Sequence, residues 1–378
     1  MPEPFKNAFN ESLVIELSEH LAKHSKHFQK TLFLEHALNN LEKLELKQRS
    51  TQITQALAES LNIGVEDALQ LLTDILHPEE NSELTSDTIT EQGVRGWIIM
   101  PLADYVANIA IESNFNQGMR CLAEMTKRFS AEFAVRHFIV SDQALAFSHL
   151  NKFALDQSEH VRRLASEGCR PRLPWGIRLH ELVNDPSPIF KVLASLVKDD
   201  SEYVRRSVAN NLNDIAKDHP EEVIAFCSSI KDNTDRNTER LIKHACRTLI
   251  KDGHEGALAL FGFNKFEGEI NNFAIDKQHV EEGEKLELQV ELNATNGSSQ
   301  KVVLDYVLYY KKANGQLNPK VFKWKELTLK PSEKVLLSKQ HHFKSVTTRK
   351  HYAGEHRIAL QVNGGEVASK SFILGLNT

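Results

Sequence analysis

Residues 160–169, HVRRLASEGC, decide how this chain is read, because the same pattern returns twice. Residues 203–212 read YVRRSVANNL and residues 240–249 read RLIKHACRTL, and the three align without gaps. Val161, Val204 and Leu241 share one position, which gives periods of 43 and 37 residues. At about 100° per residue, Val161, Leu164, Ala165 and Gly168 form one apolar helix face. Arg163, Glu167 and Arg170 fall on the far side. Arg206, Asn210 and Asp214 form the next row, and Lys243 and Arg247 the third. A column Arg163/Arg206/Lys243 is expected to run across the repeats. Such a ladder suits a polyanion whose charges recur along an axis, such as a phosphate backbone. The plainer alternative is that each cation pairs with a nearby carboxylate on a solvated face.

Periods of this size are those of HEAT/armadillo-type helical repeats, which stack into a curved solenoid. Outward from the repeat, residues 1–264 read as helices. Residues 11–28 place Leu13, Val14, Leu17 and Leu21 on one face, and residues 65–76 repeat that pattern. Residues 81–92 are polar and read as a loop. Pro78, Pro171, Pro174, Pro186, Pro188 and Pro220 stand between periodic stretches and punctuate them. Past about Gly268 the period changes to two. Residues 286–292, 302–310, 321–329, 334–339 and 357–362 are alternating or β-branched runs. Asn296-Gly297, Asn314-Gly315, Pro331-Ser332 and Asn363-Gly364-Gly365 are turn signals between them. About seven strands are expected, in an antiparallel sandwich of immunoglobulin-like architecture. The fold class is therefore multidomain α plus β: an all-α HEAT-like solenoid over residues 1–264, then an all-β sandwich over residues 265–378.

The chain has 378 residues and a formal net charge of −5, which excludes an indiscriminate polybasic binder. By segment the charge is −9 over residues 1–150, 0 over 151–264 and +4 over 265–378, so a local basic track remains open. The four cysteines show no CxxC spacing, and a reduced, cytoplasmic setting is expected. No signal peptide and no membrane span is expected. Among the 17 histidines, His20, His24 and His27 share a helical face. His341, His342, His351 and His356 lie among the strands. No Cys or carboxylate completes a zinc pattern with them, so no metal is expected. Lys311, Lys312, Lys320, Lys323, Lys325, Lys330, Lys344, Arg349 and Lys350 cluster between residues 311 and 350, beside Trp324. They read either as a second clamp on the phosphate backbone that the cation column would hold or as solvated strand edges guarded by Lys.

Residues 160–176, HVRRLASEGCRPRLPWG, resemble the DNA alkylation repair glycosylases of the AlkC/AlkD family, which are built from HEAT-like repeats. Residues 203–220, 241–258 and 131–140 (AEFAVRHFIV) are similar to that family too. The strand-rich C-terminal region points to the AlkC branch. The resemblance implies a monofunctional enzyme that hydrolyses the N-glycosidic bond of small cationic alkylated bases, of the 3-methyladenine and 3-methylcytosine type. The implied partner is duplex DNA, bent so that the lesion is exposed without burying a flipped base. It also implies Glu132, Glu167 and Asp214 as catalytic residues, Trp175 at the lesion, and Arg163 as a functional position. Arg163, with Arg170, Arg172, Arg206, Lys243 and Arg247 behind it, would hold phosphates. A monomer without a cofactor is expected.

These residue types suit that chemistry. An N3-alkylated base is cationic and its departure is already assisted, so positive charge develops on the sugar. Preorganised carboxylates stabilise that charge and orient the attacking water. Glu167 and Asp214 are expected to flank sugar and water, and Glu132 to contact lesion or sugar. Trp175 would stack on the cationic base, worth about 0.5–2 kcal/mol. Plainer roles exist for each. Glu167 could form an i, i+4 pair with Arg163, worth about 0.3–0.5 kcal/mol. Asp214 could be a surface charge, Glu132 a first-turn carboxylate, and Trp175 an anchor of the turn at Pro171 and Pro174. A non-catalytic HEAT scaffold for DNA or protein, and a DNA-binding sensor that has lost catalysis, are the competing functions.

Overall fold

The computed structural model describes residues 5–80, 90–231, 235–344 and 350–376. Most of the 81–92 loop, and Arg349, lie outside the described residues. The helical part begins with α1 (Glu11–His24), α2 (Lys30–Leu38), α3 (Leu46–Ser60) and α4 (Val65–Asp74). It continues with α5 (Ile99–Ala110), α6 (Phe115–Thr126), α7 (Val135–Ser141), α8 (Gln143–Phe153), α9 (Glu159–Gly168) and α10 (His180–Asn184). It ends with α11 (Ser187–Leu196), α12 (Glu202–Ile215), α13 (Pro220–Ile230), α14 (Arg236–Ala245), α15 (Arg247–Lys251) and α16 (Glu255–Ala259). None of the described helices is long and apolar enough to cross a membrane.

Local chemistry sets these bounds. The Asn10 side chain caps α1 by accepting from the Leu13 N–H, and Glu11 in the first turn complements the helix dipole. The helix stops at His24, short of the expected Phe28, because the Ser25 backbone turns extended; Phe28 instead bridges to Leu61. The three aligned stretches fall on α9, α12 and α14. Their apolar positions pack inward: Val161, Leu164, Val204, Val208, Leu241 and Ala245 are buried. Helix α12 packs against both α9 and α14. Gly168 ends α9 where α7 passes close by; a Cβ there would lie 2.5 Å from Val135 Cγ1.

The first arginine of each doublet is structural. Arg162 donates to the carbonyls of Asp156 (3.1 Å) and Gln157 (2.8 Å), and Arg205 to those of Asp199 (2.5 Å) and Asp200 (2.9 Å). Each folds back on the loop before its own helix and satisfies carbonyls that lack helical partners. Asp156 accepts from the Ser158 N–H and Asp199 from the Ser201 N–H, so the two loops share one construction.

The strands form two sheets. One has the order β1 (Gly268–Ile275), β3 (Lys285–Ala294), β6 (Lys334–His342). The other has the order β2 (His279–Glu281), β8 (Gly365–Gly375), β7 (Gly354–Val362), β4 (Gln300–Lys311), β5 (Leu317–Leu329). All five expected runs are strands. Among the described residues there are eight strands against about seven expected, and β2 pairs with β8 in parallel, which alternation within a strand cannot reveal. Leu286, Leu288, Val290 and Leu292 alternate inward along β3 and meet Leu304, Tyr306 and Leu308 of β4 and Ile358 and Leu360 of β7 in one core. Trp324, His341 and His351 belong to that interior, not to the lysine-rich surface. His341 bridges the hydroxyls of Tyr306 (2.9 Å) and Tyr310 (3.2 Å).

Helix gives way to strand between α16 and β1. The compact units are cut elsewhere. One holds the chain up to His219 with Ile230–Ala245; the other holds Pro220–Ser229 with the chain from Cys246 onward. In the second unit, Asn363 donates to the Asn264 carbonyl (2.6 Å) and Lys301 to that of Phe261 (3.3 Å). Gly364, at φ 87°, touches Gly253; a Cβ on it would lie 2.0 Å from the Gly253 carbonyl oxygen. All four cysteines are buried free thiols.

Candidate active site

Three elements deliver three carboxylates to one cluster in the first unit. Glu132 sits in the turn before α7, Glu167 in the last turn of α9, and Asp214 in the last turn of α12. Two arginines interleave them. Arg163 pairs with Glu132 and, at 3.4 Å, with Glu167. Arg170 donates to Glu167 (2.6 Å) and, through Nε, to Asp214 (2.9 Å). Lys217 closes the row on Asp214 at 3.0 Å. Charge therefore alternates along Glu132, Arg163, Glu167, Arg170, Asp214 and Lys217. Neutral donors complete it: Ser130 Oγ donates to Glu132 (2.8 Å) and Ser207 Oγ to Glu167 (2.6 Å). Arg163 also lies over the Tyr203 ring, 5.2 Å from its centroid.

Burial and charge compete here, and charge wins. Burial pushes the Glu167 carboxyl up, but Arg163, Arg170 and the Ser207 hydrogen bond together hold it below the usual carboxylate value. Burial pulls the Arg163 guanidinium down, but Glu132 and Glu167 more than offset it. The Glu167 carboxylate and both guanidiniums are therefore charged at neutral pH. An apolar core of the same volume is often as stable as a buried ion network. Stability alone thus does not account for this one.

The α9–α10 connection is pinned from beneath by Arg136 of α7, which is fully buried. Arg136 donates to the carbonyls of Gly168 (3.0 Å), Arg170 (2.7 Å) and Ile177 (2.8 Å). Burial lowers its guanidinium only to about 10, so it stays charged. On this platform Trp175 projects outward, 61% exposed, at φ 64°. A left-handed backbone at a bulky residue is strained and persists only where its surroundings enforce it. Lys47 of α3 supplies one restraint by donating to the Trp175 carbonyl. The same ammonium lies 5.4 Å from the centroid of the Phe133 ring, beside Glu132.

The other expected residues divide. Arg163 and Arg170 turn into the seam between helices rather than forming an outward row, because carboxylates of other elements draw them in. Glu167 and Asp214 are buried with them. For Glu167 the pair with Arg163 exists, but it is the longest of its polar contacts. Arg172 is bidentate to Asp218, at 2.9 and 2.8 Å. Arg206 is exposed and paired with Glu202 (2.9 Å), and Lys243 is exposed on α14. Arg247 is exposed on α15, in the other compact unit. Among the described residues, no group of three or more His, Cys, Asp and Glu could hold a metal ion. His20 instead bonds the Thr90 carbonyl at 2.8 Å.

Sequence reading missed Arg136, Ser130, Ser207, Tyr203 and Lys47. It also missed that Arg162 and Arg205 anchor loops, and for these a signal existed: the tetrad Asp-x-Ser-Glu precedes both doublets, at residues 156–159 and 199–202. Nothing local marks Lys47.

Asp104 of α5 stands near Lys47. Burial pushes its carboxyl up to about 6, and Lys47 partly opposes that. A carboxyl raised above its unfolded value binds protons better when folded, so its contribution to stability falls as pH rises from about 4 through about 6. Asp104→Asn is therefore expected to stabilise the protein by about 1–3 kcal/mol at pH 8 and to leave it nearly unchanged at about pH 3.5, below the unfolded value. Chemical denaturation at the two pH values checks this; equal effects at both would refute it.

A family profile described as "DNA alkylation repair enzyme" matches residues 129–249. Another, described as "Uncharacterised protein YhaZ, C-terminal Ig-like domain", matches residues 269–376. The chain is 35% identical over 361 residues to the uncharacterized protein YhaZ of Bacillus subtilis (strain 168), covering 95% of this chain and 96% of that one. It is also similar to the Pseudomonas fluorescens alkylpurine DNA glycosylase AlkC, solved bound to DNA containing an abasic site analog. That match has a TM-score of 0.79 and 33% identity, covering 99% of this chain and 100% of the other.

Proposed function

The chain belongs to the DNA alkylation repair enzyme family, in the branch with a C-terminal Ig-like domain, and from that premise we propose that it is a DNA glycosylase of base excision repair. Its substrate is duplex DNA carrying small cationic alkylated bases of the 3-methyladenine and 3-methylcytosine type. The carrying observation is the convergence of Glu132, Glu167 and Asp214 in one alternating network beside an exposed Trp175. A protein that only bound phosphate would gain nothing from three acids held there.

In this reaction the C1′–N bond breaks and the neutral base leaves with the bonding electrons. Water adds at C1′, and its proton passes to a nearby base. Glu167 and Asp214 stabilise the oxocarbenium-like sugar and position that water; Glu132 contacts lesion or sugar. Fixed charges avoid the reorganisation that solvent would need, which is why preorganisation lowers the barrier. Lys217, whose side chain is 45% exposed, is the member of the row most able to leave Asp214 when DNA arrives. The indole of Trp175 offers its face to the cationic base. The strained, anchored loop suits a rigid wedge at the duplex surface, and the lesion is reached without burial of a flipped base. The four free thiols fit a reducing, cytoplasmic setting.

The test is release of methylated bases from alkylated duplex DNA by the intact chain. Release of 3-methylated bases is the expected result; none, with the protein folded, sinks the glycosylase reading.

A further inference from the structure

The connection between α9 and α10 is held from two directions. From beneath, Arg136 takes the carbonyls of Gly168, Arg170 and Ile177. The Trp175 carbonyl lies outside that set and accepts instead from Lys47, 128 positions away in the chain. Trp175 is already strained at φ 64°. Its carbonyl is the remaining handle on that residue: fixing it fixes ψ, and so the course of the loop at the indole.

Nothing in α3 calls for a cation at residue 47. A lysine in the first turn opposes the helix dipole, which favours acids there. The start of the helix is secured by its neighbours. Gln48 accepts from the Glu45 N–H (2.9 Å), and buried Arg49 donates to the carbonyls of Lys6, Phe9, Glu42 and Leu44. Lys47 therefore projects from a rigid base. The residue is exposed, yet its ammonium meets two groups of the site at once. These are the Trp175 carbonyl and the face of the Phe133 ring. Phe133 follows Glu132, which pairs with Arg163. One ammonium thus joins the loop that carries the indole to the turn that carries the first carboxylate of the row. A charged donor on a carbonyl is stronger than a neutral one, and a cation over a ring face adds attraction.

We propose that Lys47 is a positioning residue of this site: it sets the gap between Trp175 and the Glu132 turn, and thereby where the indole meets the damaged nucleotide. The proposal rests on the DNA glycosylase reading. Lys47 acts through Trp175 and not on the reacting atoms. Misplacement of a site group by about 1 Å can cost about 10²-fold in rate. An exposed lysine far off in sequence can therefore matter to the chemistry without mattering to the fold.

The test uses the full chain carrying fluorine-labelled tryptophan, observed by fluorine NMR. Trp97, Trp175 and Trp324 give three resonances, and the one lost in Trp175→Phe is assigned to Trp175. Lys47→Met is expected to shift the Trp175 resonance alone. Lys47→Arg, whose guanidinium still reaches carbonyl and ring, should restore it. Unmoved Trp97 and Trp324 resonances and an unchanged melting curve verify the fold. In single-turnover assays Lys47→Met should lower base release about 5–20-fold, and Lys47→Arg should recover most of it. Affinity for undamaged duplex should stay within about 2-fold, with an unchanged slope of log K against log salt. A Trp175 resonance that stays in place in Lys47→Met overturns the proposal. So does a salt slope reduced by about 1, which would make Lys47 a direct phosphate ligand. Base release at the wild-type rate by Lys47→Met also overturns it, since the reaction would not need the tie. No release by the wild-type chain, with the resonance shifted in Lys47→Met, removes the glycosylase reading and keeps the restraint on Trp175.

Discussion

Asp214→Asn and Glu167→Gln are each expected to lower base release by about 10²–10³-fold in single-turnover assays while leaving the fold and DNA affinity in place. The amides are isosteric, and the surroundings can take them. In Asp214→Asn, the remaining oxygen still accepts from Arg170, which uses only Oδ2 in the native contact. The new amide then faces Lys217, which is exposed enough to turn away. In Glu167→Gln, the oxygen still accepts from Arg170, and the amide meets Ser207. The Ser207 hydroxyl can rotate to accept, since Ser166 Oγ lies 3.0 Å away to take its proton. What the variants lose is the fixed negative charge that opposes the developing charge on the sugar. Removing an acid near a polyanion should leave DNA binding equal or slightly tighter. Release at the wild-type rate by both variants would refute the assignment of these carboxylates, whatever the intact protein does.

Arg136→Met should have the largest effect on stability, about 3–5 kcal/mol. The methionine fills much of the volume but strands the carbonyls of Gly168, Arg170 and Ile177 in a buried site. Each unsatisfied group costs about 1–3 kcal/mol, and local relaxation recovers part of it. Because the same contacts shape the loop that carries Arg170 and Trp175, base release should fall with stability. Arg136→Lys, with one ammonium in place of a five-donor fork, should recover only a fraction. Thermal or urea unfolding of the purified variants checks the ordering wild type, Lys, Met. A methionine variant as stable as wild type would show that water replaces the guanidinium.

Much of the fold was legible because its signals are short in range. Helical period, proline punctuation and the change to alternation past Gly268 are properties of neighbouring residues, and the helices and five of the strands follow them. The sheet order was not, since the β2–β8 pair joins residues 279–281 to 373–375. Site residues divide on the same line. Glu132, Arg163, Glu167, Trp175 and Asp214 were named through family motifs, while periodicity by itself placed Arg163, Glu167 and Arg170 on a solvated face. That placement fails because a helical wheel treats everything opposite the core as water. In this solenoid the opposite side meets other elements: Glu132 reaches Arg163 across 31 positions of sequence, and Asp214 reaches Arg170 across 44.

The sequence by itself therefore determined a repeat helical region, a strand-rich region and the family to which the chain is similar. It also determined where charge accumulates: acid in the first 150 residues and base in the last 114. Only the tertiary structure decided that the doublets split their work, with Arg162 and Arg205 closing loops while Arg163 pairs within the carboxylate row and Arg206 lines an open groove. It also decided that Trp175 stands exposed on a platform held by Arg136 and Lys47. The physical reason is the range of the forces. Propensity and periodicity act within a turn or two of chain. The partner of a buried charge is set by which helices pack together, and α9, α12 and α14 meet only once the repeats have stacked.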